Sequence, residues 1–170
     1  MTAKLLVAYA TSYGSTREIA EVVAEVLRDK GYSVSLEPMK QVRTLADFSA
    51  VVMGAPFYMF RWHKDARSFL AHHRAALQAL PAAVFALGPF NDVEKEWQDV
   101  RAQLDKLLAK NTWFTPVAWT VFGGKFDPAG LRFPYTMLPA LKQIPATDIR
   151  NWDDIRAWAD SLPALFQPGQ

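Results

Sequence analysis

The segment Ala10–Thr16 (A-T-S-Y-G-S-T) concentrates the residue types best suited to holding an anion. Thr11, Ser12, Ser15 and Thr16 offer four hydroxyls around Tyr13 and Gly14, and the glycine lets a ligand approach the backbone closely. A stretch patterned as a helix follows at once. A helix N-terminus presents unpaired N–H groups and the positive end of the helix dipole, so the loop reads as a phosphate cradle. Helix capping alone would consume one or two of these hydroxyls, fewer than the four present. No lysine lies in the loop, so it is not the G-x-x-x-x-G-K-[ST] loop of nucleotide hydrolases. It also lacks G-x-G-x-x-G, which weighs against a nicotinamide dinucleotide. A hydroxyl-rich loop without lysine suits a terminal phosphate monoester held mainly by neutral hydrogen bonds.

The flanking elements must hold this loop in place. Lys4–Tyr9 (KLLVAY) is a short apolar run of the kind buried on both faces of a parallel sheet. After the loop, Ile19, Ala20, Val22, Val23, Val26 and Leu27 recur at helical spacing. Ser15 and Glu18 have the spacing of a capping box, which predicts a helix start at Ser15 or Thr16, and Gly31 ends the helix. Further strands are predicted at Ser33–Glu37, Ala50–Met53, Pro81–Leu87 and Pro116–Phe122. Helices are predicted at Asp65–Leu77, Val93–Lys110 and Trp152–Leu165, with a short turn of helix near Leu45–Phe48. Strands alternating with helices imply an α/β fold with a parallel sheet and right-handed crossovers. Spacing alone leaves the strand order open. The stretch 123–151 has no clear assignment and is too long for an ordinary loop.

Length and composition narrow the field. The 170 residues fit one domain, 1–170, able to bury a full core without metal or disulfide staples. With no cysteine, the chain has no disulfide framework, thiol nucleophile or self-held iron–sulfur centre. The three histidines, His63, His72 and His73, form no metal set; His72 and His73 are expected at the surface, and His63 is a candidate proton donor. A net charge of +2 spread along the chain argues against nucleic acid. The start of the chain lacks a signal-peptide pattern, and no run reaches the roughly 18 apolar residues of a membrane span. A cytoplasmic protein is therefore expected.

The segment V-A-Y-A-T-S-Y-G-S-T-R-E-I-A-E-V-V resembles the flavodoxins at Tyr9, Thr11, Gly14, Thr16, Ala20 and Val23, with Ala8 where a larger apolar residue is usual. The resemblance implies a flavodoxin-like three-layer sandwich. Its five-stranded parallel sheet would have the order 2-1-3-4-5, with helices on both faces and flavin mononucleotide (FMN) as cofactor. It also implies that the loops after the third and fourth strands clasp the flavin ring. These correspond to 55–62, with Pro56, Phe57, Tyr58 and Trp62, and to 88–92, with Gly88, Pro89, Phe90 and Asn91. Their aromatics suit stacking on a flat ring. Three later segments, A-P-F-Y-M-F-R-W-H-K, V-F-G-G-K-F-D-P-A-G-L-R-F and D-I-R-N-W-D-D-I-R-A-W-A, resemble the flavodoxin domain of the menaquinone-dependent protoporphyrinogen oxidase family.

That branch carries an extended basic helical insert ahead of its last helix. Here the corresponding stretch 131–147 is interrupted by Pro134, Pro139 and Pro145, so a long helix is not expected. Lys125, Arg132 and Lys142 with Phe133, Tyr135, Met137 and Leu138 would allow weak peripheral membrane contact. A loop packing its apolar residues on the sheet is the favoured expectation. Flavodoxins that shuttle electrons are typically acidic, whereas this chain is slightly basic. The leading expectation is thus an FMN oxidoreductase working between a reductant and a small or quinone-like acceptor. The alternatives are a non-enzymatic electron carrier and a flavin-free binding module on the same fold.

Overall fold

A computed structural model describes residues 3–58, 60–130 and 137–167. The apolar run at the N-terminus forms β1 (Lys4–Tyr9), and α1 (Ser15–Asp29) follows the hydroxyl-rich loop. Next come β2 (Ser33–Pro38), a 3-10 turn at Met39–Gln41, and β3 (Ala50–Tyr58). A hairpin joins β3 to β4 (Arg61–Trp62), and α2 (Lys64–His72), α3 (Arg74–Ala79) and β5 (Ala82–Leu87) follow. Then come α4 (Glu94–Lys110), β6 (Ala118–Phe122), β7 (Lys125–Phe126), α5 (Pro139–Lys142), β8 (Thr147–Asp148) and α6 (Trp152–Phe166).

The main sheet has the order β2-β1-β3-β5-β6, and its neighbours pair in parallel. This is the expected 2-1-3-4-5 order, because the two-residue β4 only turns back antiparallel on the end of β3. Side chains alternate across each strand. Leu6, Ala8, Val51, Met53 and Val84 face a core shared with Ala66, Phe69, Leu70, Leu77 and Leu104 of α2, α3 and α4. Leu5, Val7, Val52, Ala83 and Phe85 face a second core with Ile19, Val23 and Leu27 of α1 and Ile155, Ala159 and Leu162 of α6. Two apolar layers against one sheet make the three-layer sandwich, with the three loops of interest following β1, β3 and β5 at the carboxyl edge of the strands.

Several local expectations are revised. Asp65–Leu77 divides into α2 and α3 at His73. His73 is buried rather than exposed: its Nε2 lies 3.3 Å from the Val42 carbonyl oxygen and its ring 4.5 Å from that of Phe69. The short 3-10 helix stands at Met39–Gln41, and Leu45–Phe48 makes a single turn closed by the bond from Phe48 N to Leu45 O. In the unassigned stretch, β7 and β8 pair antiparallel through Lys125↔Asp148 and Phe126↔Thr147. Met137 there is 69% exposed and Leu138 52%, so these two do not pack on the sheet as expected. Arg132, Phe133 and Tyr135 lie outside the described residues. Among the described residues, no helix is long and apolar enough to cross a membrane.

Candidate functional site: the loop between β1 and α1

The backbone sets the loop's shape. Gly14 has φ +92°, a left-handed conformation that a side chain would strain, and it stands as the N-cap of α1. Thr11 Oγ1 accepts a 2.8 Å hydrogen bond from the Gly14 N–H, which closes the loop on itself and leaves the Thr11 hydroxyl proton free to donate outward. The expected capping box does not form. The N-cap position falls on Gly14, which has no side chain to cap α1, and Glu18 pairs with Arg150 instead. At the other end, Gly31 takes φ +96°, and bonds from Gly31 N to Arg28 O and Tyr32 N to Leu27 O stop the helix.

Thr16, in the first turn of α1, is fully buried, and its Oγ1 has no hydrogen-bond partner among the described residues. A buried hydroxyl left unpaired is costly. A phosphate oxygen at this helix N-terminus would supply the missing acceptor. The donor set therefore fits a phosphate monoester: neutral hydroxyls, a glycine at positive φ and the free N–H groups of the first helical turn.

His63 links this loop to the hairpin beyond β3. It is buried, and its Nδ1 accepts a 3.1 Å bond from the Asp65 N–H, so it caps α2. In the neutral ring the proton must then sit on Nε2, which lies 3.2 Å from Ser12 Oγ and donates to it. The Ser12 hydroxyl proton remains available for a ligand. Burial holds the His63 pKa below 6.5, against the opposing charge of Asp65, and burial lowers that of His73 likewise. Because the fold favours both neutral rings, the unfolded chain takes up their protons first. Stability is then complete above the unfolded pKa near 6.5 and is lost progressively as pH falls below it. Urea melts at pH 7.5 should show a loss of about 1 kcal/mol for His63→Ala, the ordinary cost of a lost N-cap. His63→Asn, which can still cap, should melt near the parent and lose stability less steeply below pH 6.5.

Sequence reasoning missed Arg150. Its side chain is only 3% exposed, and its guanidinium pairs with Glu18 at 2.6 Å and Asp148 at 2.8 Å. It also donates to the Ser15 carbonyl at 3.4 Å and lies 4.8 Å from the Trp152 ring centre. These bonds tie the start of α1 to β8 and α6. Bonding to Arg150 depresses the Asp148 pKa, so this clamp persists into mildly acid solution. The only sequence signal was the D-I-R-N-W string itself, which carries no spacing rule. Arg150→Met should destabilise the fold by about 1–3 kcal/mol in denaturant titrations, since two charge-assisted bonds go while their half-exposed carboxylates can rehydrate.

The other predicted site residues divide. Pro56 is buried at the end of β3, and the His63 N–H donates to its carbonyl. Tyr58 is half-buried, with its ring centre 6.4 Å from that of His63. Trp62 corrects the sequence expectation: it is 2% exposed in the core, and its Nε1 donates to Ala55 O at 3.0 Å. Phe57 packs on Trp62, with ring centres 6.4 Å apart. Period-two alternation explains this, because Phe57 and Trp62 are cross-strand partners on the α2–α4 face. In the loop after β5, Gly88 N donates to Phe122 O, and buried Pro89 accepts from Gly124 N. Phe90 lies 5.5 Å from Phe126 between ring centres, and Asn91 is held by two bonds to Glu96. Tyr13, in the hydroxyl loop, is 40% exposed.

A doubly wound parallel sheet with a hydroxyl-rich anion loop after its first strand defines a phosphate-binding α/β protein. The model of the family described as "Flavodoxin domain" matches residues 6–138, and the chain belongs to that family. Membership indicates FMN as the cofactor, in keeping with the donor set of the loop. Over 134 residues the chain is 25% identical to protoporphyrinogen IX dehydrogenase [quinone] of Escherichia coli K12, covering 77% of this chain and 71% of that one. Oxidised flavodoxin 1 from Bacillus cereus superposes with a TM-score of 0.59 at 16% identity, covering 96% of this chain and 97% of that one. Rubredoxin oxygen:oxidoreductase from Desulfovibrio gigas gives 0.55 at 18% identity, covering 95% of this chain and 36% of that one. These two likenesses concern the fold. The family and the sheet order identify the chain as a flavin redox protein.

Proposed function

We propose that this flavin redox protein is an oxidoreductase that passes electrons between a reductant and a small or quinone-like acceptor. The buried Thr16 hydroxyl, without a partner among the described residues, is the observation that carries the flavin part of the reading. In this reading Thr11, Ser12, Tyr13, Gly14, Ser15 and Thr16 hold the FMN phosphate. Pro56, Tyr58, Gly88, Pro89, Phe90 and Asn91 border the ring, and Phe57 and Trp62 support the hairpin from behind. The bound flavin supplies the electron chemistry, and the chain supplies binding, orientation and electrostatics. Thr11 and Ser12 donate outward because their acceptor sides are already used within the protein. His63 holds its proton on Nε2 against Ser12, so it acts as a positioning group for the loop rather than a proton donor to the ring.

The quinone part rests on the sequence likeness to a dehydrogenase whose name specifies quinone, and on the slightly basic charge balance. The test is anaerobic mixing of the reduced, FMN-loaded protein with menadione, followed by a turnover assay with protoporphyrinogen as reductant. Fast reoxidation by menadione with repeated turnover is expected. Reoxidation only by a redox protein, with menadione inert, would favour the electron-carrier reading and contradict the proposal.

A further inference from the structure

We propose that the groove bounded by the β3–β4 hairpin, α2, α3 and α4 is a second binding site, apart from the hydroxyl loop, for a flat aromatic molecule bearing at least two carboxylates. Its volume of about 720 Å³ lies within the usual range of small-molecule sites. Arg61, Arg67, Arg74, Lys106 and Lys110 line it, and among the described residues no acidic side chain does. Among the described residues none of these five pairs with a carboxylate, whereas Arg17, Lys30, Arg101, Arg150 and Arg156 all do so elsewhere. On a chain of net charge +2, this is a local concentration of uncompensated positive charge.

Two of the guanidiniums are already positioned. Arg67 Nε donates to Trp62 O at 3.1 Å, and Arg74 stacks over Trp113 at 5.1 Å. Arginine's planar fork matches a carboxylate, and orienting it beforehand lowers the cost of binding. Phe57, Phe60 and Trp113 add aromatic wall between the charges. A buried Gln103 Oε1, without a hydrogen-bond partner among the described residues, offers a polar contact on the α4 side.

Phe60 makes the strongest case for a ligand. It has φ +64°, a region that bulky residues rarely enter, and it is 84% exposed at the hairpin tip. Glycine would hold this turn without strain. An aromatic ring kept there against both strain and hydration is explained if it covers one face of the bound molecule. An inorganic anion would leave these rings unused, and a neutral aromatic would leave five charges unpaired.

The groove proposal does not depend on the flavin reading. The test is a calorimetric titration of the FMN-saturated protein, at low salt, with naphthalene-2,6-dicarboxylate. One saturable site is expected, weakening as salt rises, with the neutral diamide at least tenfold weaker. The Arg74→Gln/Lys110→Gln double variant should bind at least tenfold more weakly while flavin absorbance is retained. Phe60→Gly should bind severalfold more weakly with an unchanged or higher Tm, which separates a ligand contact from a structural role. No saturable heat, equal binding of the diamide, or undiminished binding by the double variant would overturn the proposal. Release of FMN during the titration would do so too, by placing the probe in the flavin site. Flavin retention is read optically in the same cell, so a failed groove and a failed flavin site give different results.

Discussion

Replacing Thr16 with valine is expected to weaken FMN binding by about 1.5–3 kcal/mol, or roughly ten- to a hundred-and-fifty-fold. The side chain is fully buried and its oxygen has no partner among the described residues. Valine nearly matches threonine in shape but cannot donate. The same substitution should leave the flavin-free protein as stable as the parent or more so, because it removes an unpaired buried hydroxyl. Quenching of FMN fluorescence gives the affinity, and urea titration of the flavin-free protein gives the stability. Opposite signs in the two measurements would mark Thr16 as a ligand-binding residue. A loss of stability with unchanged affinity would assign it to the fold instead.

Gly54→Ala is expected to cost about 3 kcal/mol of stability and to lower FMN affinity as well. A β-carbon there would lie 1.9 Å from Phe85 Cζ, in the middle of the α1–α6 core layer. Overpacking of this kind usually costs about 1–3 kcal/mol and occasionally more. The contact also governs the site, because the Gly54 carbonyl accepts the 2.9 Å bond from Ala10 N where the hydroxyl loop begins. Any shift of β3 away from Phe85 is therefore passed to the loop. Phe85→Leu should recover part of both losses in the double variant, since the ring is the obstacle. Additive losses in a double-mutant cycle would show that Gly54 and Phe85 act independently.

What the sequence disclosed follows the reach of each signal. Buried parallel strands announce themselves as short apolar runs, so β1, β3 and β5 could be found from composition alone. The helix α1 was legible from its apolar spacing, and the phosphate loop from four hydroxyls around a glycine at a helix start. Contacts between distant segments were not legible. His63 and Ser12 are 51 positions apart, and Arg150 and Glu18 are 132 apart. No local pattern links either pair. Glu18 shows the difficulty: its spacing from Ser15 suits a capping box, yet the N-cap falls on Gly14 and Glu18 pairs with an arginine from the far end of the chain. Trp62 failed for a different reason. An aromatic in a ligand-edge loop has two faces of a hairpin open to it, and only the pairing with Phe57 decides which it takes.

The central claim, that the β1–α1 loop holds FMN, is tested most directly by the visible absorbance of the purified protein after it is mixed with FMN and desalted. Retained flavin bands, at about one equivalent per chain and much reduced in the Thr16→Val variant, are the predicted result. A folded protein that elutes colourless would contradict the account and leave only the fold.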